Sequence, residues 1–143
     1  MRIVLDTNVL VSGLLSPYGP HGEVVRLVST GLISLCLDAR IVAEYQEVLL
    51  RPKFGFDPEE VATLIDYLES SGEMFAGSPL TTRLPDPDDE AFLEVALAGN
   101  ADFLITGNHV HYPLDSRAGV IVLWPAELVE RYRNKLAEFE QDH

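Results

Sequence analysis

Short apolar runs alternate with helical stretches along this chain, and that alternation constrains its fold more than any other feature. The runs are Arg2 to Asp6, Ile33 to Leu37, Glu73 to Ala76, Phe103 to Thr106 and Val120 to Leu123. They read as short strands with little polar interruption. Between and after them, the pattern predicts helices over Gly22 to Thr30, Ala39 to Leu50, Pro58 to Ser71, Pro87 to Ala98 and Ala126 to Phe139. Asp57-Pro58 and Asp86-Pro87 each put a capping residue before a proline at the first helical position. Gly31, Gly72 and Gly99 stand where helices should stop. Strands alternating with helices give a parallel sheet covered on both faces. The expected architecture is a three-layer α/β/α fold. Its central, mostly parallel sheet should have four to five strands, with the first strand in the middle. The 143 residues suit a single domain, with a core over about 2–125 and a C-terminal helix over about 126–139.

In open α/β sheets, ligands bind outside the carboxyl ends of the strands. Asp6 stands at that edge, directly after Ile3-Val4-Leu5. Taken alone it is either a helix cap or the start of an acidic site. Asn108 follows the strand and turn Phe103-Leu104-Ile105-Thr106-Gly107 and reaches the same edge. Asp89 opens a helix and continues the stripe of Leu93, Ala96 and Leu97. Asp86, Asp88 and Glu90 share its first turn, where acids complement the helix dipole. Capping accounts for most of that cluster, but not for an acid on the core stripe. Glu44 lies beside Ile41 and Val48, on the shoulder of its helix's apolar arc. In a parallel sheet, Asp6, Glu44, Asp89 and Asn108 converge on one edge.

Crowded carboxylates repel one another, and their ionised forms need a counter-charge. Hard oxygen donors suit Mg²⁺ or Mn²⁺, not zinc. His21, His109, His111 and His143 show no helical metal-ligand spacing, although His109 and His111 flank the expected site. The net charge is −13, from 23 acids against 10 bases. A nucleic-acid binder relying on phosphate contacts is usually basic. For nucleic acid to be the ligand, divalent metal and a local basic patch must supply the attraction. Arg40, Arg51 and Lys53, near the Glu44 helix, are the local phosphate contacts on offer. Cys36 is the only cysteine, so no intramolecular disulfide forms. With no signal-peptide pattern and no 18-residue apolar stretch, the expectation is a soluble cytoplasmic protein with no membrane span.

These same residues carry a resemblance. Val4-Leu5-Asp6-Thr7-Asn8-Val9, Asp86-Pro87-Asp88-Asp89-Glu90-Ala91-Phe92-Leu93 and Ile105-Thr106-Gly107-Asn108, in that order, resemble the first, third and last motifs of PIN-domain proteins. Ala43-Glu44-Tyr45, followed by Arg51-Pro52-Lys53-Phe54, resembles the second. The likeness is to the small prokaryotic, VapC-like toxins of toxin–antitoxin pairs, and spans about residues 2–125. It implies a metal-dependent endoribonuclease that uses Mg²⁺ or Mn²⁺. RNA would be its substrate, a cognate antitoxin protein its partner, and a homodimer its assembly.

On that reading Asp6, Glu44 and Asp89 hold the metal and Asn108 completes the site. Thr7, Asn8, Ser12 and Thr106 are placed to hydrogen-bond the carboxylates or the substrate. Many PIN nucleases carry an acid where this chain has Asn108, and Asp88 is the nearest compensating charge. Trp124, Leu128 and Tyr132 are core or interface positions.

Three other readings compete with this one. A phosphoacceptor receiver needs a paired acid near the first strand and a late lysine. This chain has Thr7-Asn8 beside Asp6 and no lysine between Phe54 and Asn134. A phosphatase built on Asp-x-Asp fails because position 8 is Asn. A catalytically inactive PIN fold that binds protein or RNA is the alternative that Asn108 and the acidic charge leave standing.

Overall fold

The computed structural model describes residues 1–142, so His143 lies outside the described residues. Five strands form one parallel sheet in the order β3-β2-β1-β4-β5. These are β1 (Arg2–Leu5), β2 (Ser34–Leu37), β3 (Glu73–Met74), β4 (Phe103–Ile105) and β5 (Val122–Leu123). The first strand is central, as expected. Its register pairs Ile3 with Leu35 on one side and with Phe103 on the other. Ile3, Val4, Leu5, Leu104 and Ile105 have no exposed surface. Burying each such side chain contributes about 1.5–3 kcal/mol, which explains why these fully buried positions carry no polar residue.

Six helices flank the sheet: α1 (Thr7–Leu15), α2 (Pro20–Ser29), α3 (Ala39–Leu49), α4 (Pro58–Ser71), α5 (Glu90–Ala98) and α6 (Pro125–Asp142). The β1→β2→β3 crossovers step one way, and the β3→β4 crossover steps back past two strands. Right-handed connections then put α1–α4 on one face and α5 on the other, giving three layers. Accordingly α1 packs on α2, α3 on α4, and α5 lies against β1, β2 and β4. The long α6 returns to α2, where Arg133 pairs with Glu23 at 2.7 Å. Leu128 is fully buried core, Tyr132 is half-buried against the core, and Trp124 is exposed.

Strands β3 and β5 are shorter than predicted and α6 is longer, and three further local features differ from the sequence reading. Helix α1 was not among the predicted helices, although a capping role for Asp6 allowed a segment starting near Asn8. It is a helix that buries Val9, Leu10, Val11 and Gly13, so its sequence lacks a polar face to reveal the period. Gly13 matters here, because a Cβ there would lie 2.4 Å from Val25 Cγ2 and 2.6 Å from the His21 carbonyl oxygen. That close approach seats α1 on α2. Helix α2 begins at Pro20, two residues before its expected start. The segment expected as one helix over Pro87 to Ala98 opens with a 3₁₀ turn, Pro87–Asp89, before α5.

Candidate functional site

The sheet order reverses at β1, whose neighbours β2 and β4 lead to opposite edges. The carboxyl ends of β1 and β4 therefore flank the switch-point crevice. Asp6 leaves β1 there, and its backbone N–H donates to the Ile105 carbonyl at 2.9 Å. It occupies the N-cap position of α1, but its side chain makes no capping hydrogen bond. The carboxylate instead accepts from Thr106 Oγ1 at 2.7 Å, across to β4. Asp6 thus holds a capping position while its carboxylate turns across to β4. It is 4% exposed, and burial raises its pKa, while Thr106, the first amides of α1 and His111 pull the other way.

The other acids gather around it. Asp38 caps α3 by accepting from the Ile41 N–H at 2.9 Å, which starts that helix at the carboxyl end of β2. Glu44 follows one turn later, half-buried, and accepts a hydrogen bond from the Thr7 hydroxyl on α1. Burial raises the Glu44 pKa, and the charges of Asp6, Asp88 and Glu47 add to the rise, while Thr7 opposes it. Asp89 ends the 3₁₀ turn that precedes α5 and is 8% exposed. Burial, then the charge of Asp6, pushes its carboxyl up to about 6. His111 and Asp86 act on it too, His111 lowering and Asp86 raising. Asp6 is therefore near enough to both Glu44 and Asp89 to resist their ionisation.

Asp89 Oδ2 lies 2.9 Å from His111 Nδ1, close enough for an ion pair. Yet Oδ2 is buried and has no hydrogen-bond partner, so the two groups meet without an aligned N–H. Donor atoms of Asp86, Asp89 and His111 all lie within 4.8 Å of one another. An orphaned buried carboxylate oxygen among further acids fits a divalent cation, which would supply the missing counter-charge. Beneath the acids lie two buried tyrosines. The Tyr45 hydroxyl donates to the Leu5 carbonyl, and the Tyr112 hydroxyl has no partner.

The remaining predicted positions divide. Thr7 and Thr106 hold carboxylates as expected. Asn8 is exposed on the first turn of α1 beside Asp6, and Ser12 is exposed further along with no side-chain bond to the acids. Asn108 starts the 3₁₀ turn His109–His111, and its backbone N–H donates to Thr106 Oγ1 at 3.0 Å. Asp88 is exposed and lines a cleft with Glu44 and Arg40. Arg40 borders that cleft half-exposed, while pairing with Asp38 at 2.7 Å and Glu94 at 3.2 Å. Arg51 and Lys53 lie past the end of α3. Arg51 pairs loosely with Glu47 at 3.7 Å, and the Lys53 ammonium sits over the Phe54 ring at 5.1 Å. Neither is brought to the carboxylates by any bond among the described residues.

Two residues of the cluster escaped the expected ligand set. Asp86 reads as a cap, and it is one, accepting from the Asp88 N–H at 3.0 Å. His111 stood outside the set because its partner lies on a distant turn. Its one sequence signal was its position just past the carboxyl end of a strand. Glu90, by contrast, turns away from the site to Arg83 and the Leu84 N–H.

Thr106 ties the site together, since its hydroxyl donates to Asp6 and accepts from Asn108. Thr106→Val keeps the shape and removes both bonds. It should destabilise the fold by about 1–3 kcal/mol, seen as a lower Tm, whereas Thr106→Ser should sit near the parent. A Thr106→Val Tm equal to the parent's would refute this role.

A family model described as "PIN domain" matches residues 2–110. The fold is similar to a chain in the crystal structure of VapBC2 from Rickettsia felis bound to a DNA fragment from their promoter. The TM-score is 0.57 and the identity 18%, over 87% of this chain and 98% of that one. No curated protein matches the sequence. Among the described residues, no helix is long and apolar enough to cross a membrane.

Proposed function

This chain belongs to the PIN-domain family, and from that premise we propose that it is a divalent-metal-dependent endoribonuclease, the toxin of a toxin–antitoxin pair. The observation that carries the reading is Asp89 Oδ2, buried among acids at the switch point of a parallel sheet, with His111 Nδ1 beside it but no aligned hydrogen-bond donor. Asp6, Glu44 and Asp89 would hold the ion, Mg²⁺ or Mn²⁺, directly or through water. When bound, the ion activates water for attack on the scissile phosphate and stabilises the charge that develops there.

The chain's own residues prepare for this. Thr106 and Thr7 fix the Asp6 and Glu44 carboxylates by donating hydrogen bonds, so neither must reorganise when a cation arrives. Tyr45 locks the end of β1 from below. Arg40 lines the cleft beside Glu44, where its half-exposed guanidinium would meet a phosphate in competition with Asp38 and Glu94. Asn108 offers a carbonyl oxygen without charge. Arg51 and Lys53 would meet RNA phosphates further along the chain.

The reading carries an RNA substrate, a cognate antitoxin, a homodimer and a cytoplasmic setting. The likeness to VapBC2 supports looking for the antitoxin. Asn108, in place of a fourth acid, favours one competitor, an inactive PIN fold that binds protein or RNA. Incubation of a structured RNA pool with the protein and Mn²⁺ separates the two. Cleavage that stops with EDTA and returns with added Mn²⁺ is the expected result. Cleavage that survives EDTA, or none at all with Mn²⁺, would contradict the nuclease reading.

A further inference from the structure

The reading above uses carboxylates for the ion and leaves His111 without a task. The imidazole is not on a loose loop. The His111 N–H donates to the Asn108 carbonyl at 3.0 Å, and the Tyr112 N–H to the His109 carbonyl at 3.0 Å. Arg117 Nε then holds the Tyr112 carbonyl at 2.8 Å. These bonds present His111 Nδ1 to Asp89 Oδ2 at 2.9 Å. As a direct pair the contact is poor, because Oδ2 gains no aligned donor.

As two donors to one ion, the contact is sound. Neighbouring ligands of an octahedral ion, at bonds near 2.1 Å, stand roughly 3 Å apart. Asp86 accepts from the Asp88 N–H through Oδ1, and one of its carboxylate oxygens lies within the 4.8 Å group of donors. A separate observation points to a ligand. The Tyr112 side chain is fully buried, its hydroxyl has no partner, and the charges of Asp6, Asp89 and Glu44 act on it. It is an unspent polar group within reach of the charges of these same acids.

We propose that His111 is itself a metal ligand, acting with Asp89 and Asp86, and that its nitrogen makes the centre prefer Mn²⁺ to Mg²⁺. This rests on the acid cluster being a metal centre, and it adds which ion the centre selects. Mg²⁺ demands oxygen ligands in strict geometry, whereas imidazole suits transition metals. A nitrogen donor also supplies a ligand where Asn108 withholds a charge.

Pulsed electron paramagnetic resonance of the Mn²⁺-loaded protein tests this, with competing Mn²⁺ and Mg²⁺ titrations of the same samples. The expected result is a ¹⁴N coupling to Mn²⁺ in the wild type and in His109→Gln, but not in His111→Gln. His111→Gln should bind Mn²⁺ about tenfold more weakly, with Mg²⁺ affinity changed by less than about twofold. Amide spectra of the variant, matching the parent away from the 3₁₀ turn, check that it folds. Bound Mn²⁺ without ¹⁴N coupling, or a coupling that persists in His111→Gln, would overturn this inference and leave the nuclease reading intact. A wild type that binds neither ion would overturn both.

Discussion

Asp6→Asn should cut Mn²⁺-dependent RNA cleavage by about a hundred- to a thousandfold while leaving the fold in place. The size is that of losing one preorganised charged group at a reacting centre. The fold should survive for local reasons. Asn is as good at an N-cap position as Asp, and its side-chain carbonyl can still accept from Thr106 Oγ1. Burial already works against the Asp6 charge, so removing that charge costs the metal-free protein nothing. Steady-state cleavage of one defined RNA, beside a thermal melt, checks both halves. Cleavage within about threefold of wild type would remove Asp6 from the mechanism. A collapsed Tm would mean that the residue is structural.

Asp89→Asn should have opposite effects on activity and on stability. Activity should fall by a similar factor, because the orphaned Oδ2 is lost as an anion. The metal-free protein should become more stable at neutral pH. Asp89 titrates at about 6 in the folded state, against an ordinary 3.8. The folded protein therefore holds this proton more tightly than the unfolded chain does. Raising the pH from about 4 through 6 ionises the group at a cost to folding, and above that window the cost is complete.

Allowing for solvent screening, the penalty is about 1–2 kcal/mol at pH 7.5. Asp89→Asn removes it, so Tm without metal should rise by about 3–6 °C at pH 7.5 and hardly at all below pH 4. Metal binding by the wild type should weaken below about pH 6, as Asp89 takes up its proton. Melts of both proteins in EDTA at several pH values measure the stability effect. A variant less stable than wild type at pH 7.5 would show that Asp89 is held by structure, not strained for function.

Much of this was legible because local grammar and global fold agree. The unbroken apolar character of Ile3-Val4-Leu5 predicts a strand buried on both faces, and such a strand belongs in the middle of the sheet. Asp89 stood out because it breaks a rule, an acid on an apolar stripe. Such conflicts concentrate at functional sites. What stayed hidden depends on which strands are neighbours. Thr106 reaches Asp6 only because β4 lies beside β1, and a hundred residues separate the two in sequence. Thr7 reaches Glu44 because α1, which the sequence did not reveal, packs on α3. His111 was hidden because its partner Asp89 lies on a distant turn, and Asp86 for another reason. A residue that caps a turn and also faces a site shows only its capping role in sequence.

The central claim is that this acid cluster is a cation site, and an isothermal Mn²⁺ titration of wild type beside Asp6→Ala tests it most directly. The account predicts saturable binding by the wild type at pH 7.5 and binding at least tenfold weaker, or lost, in the variant. No binding by the wild type, or equal binding by both proteins, would contradict it.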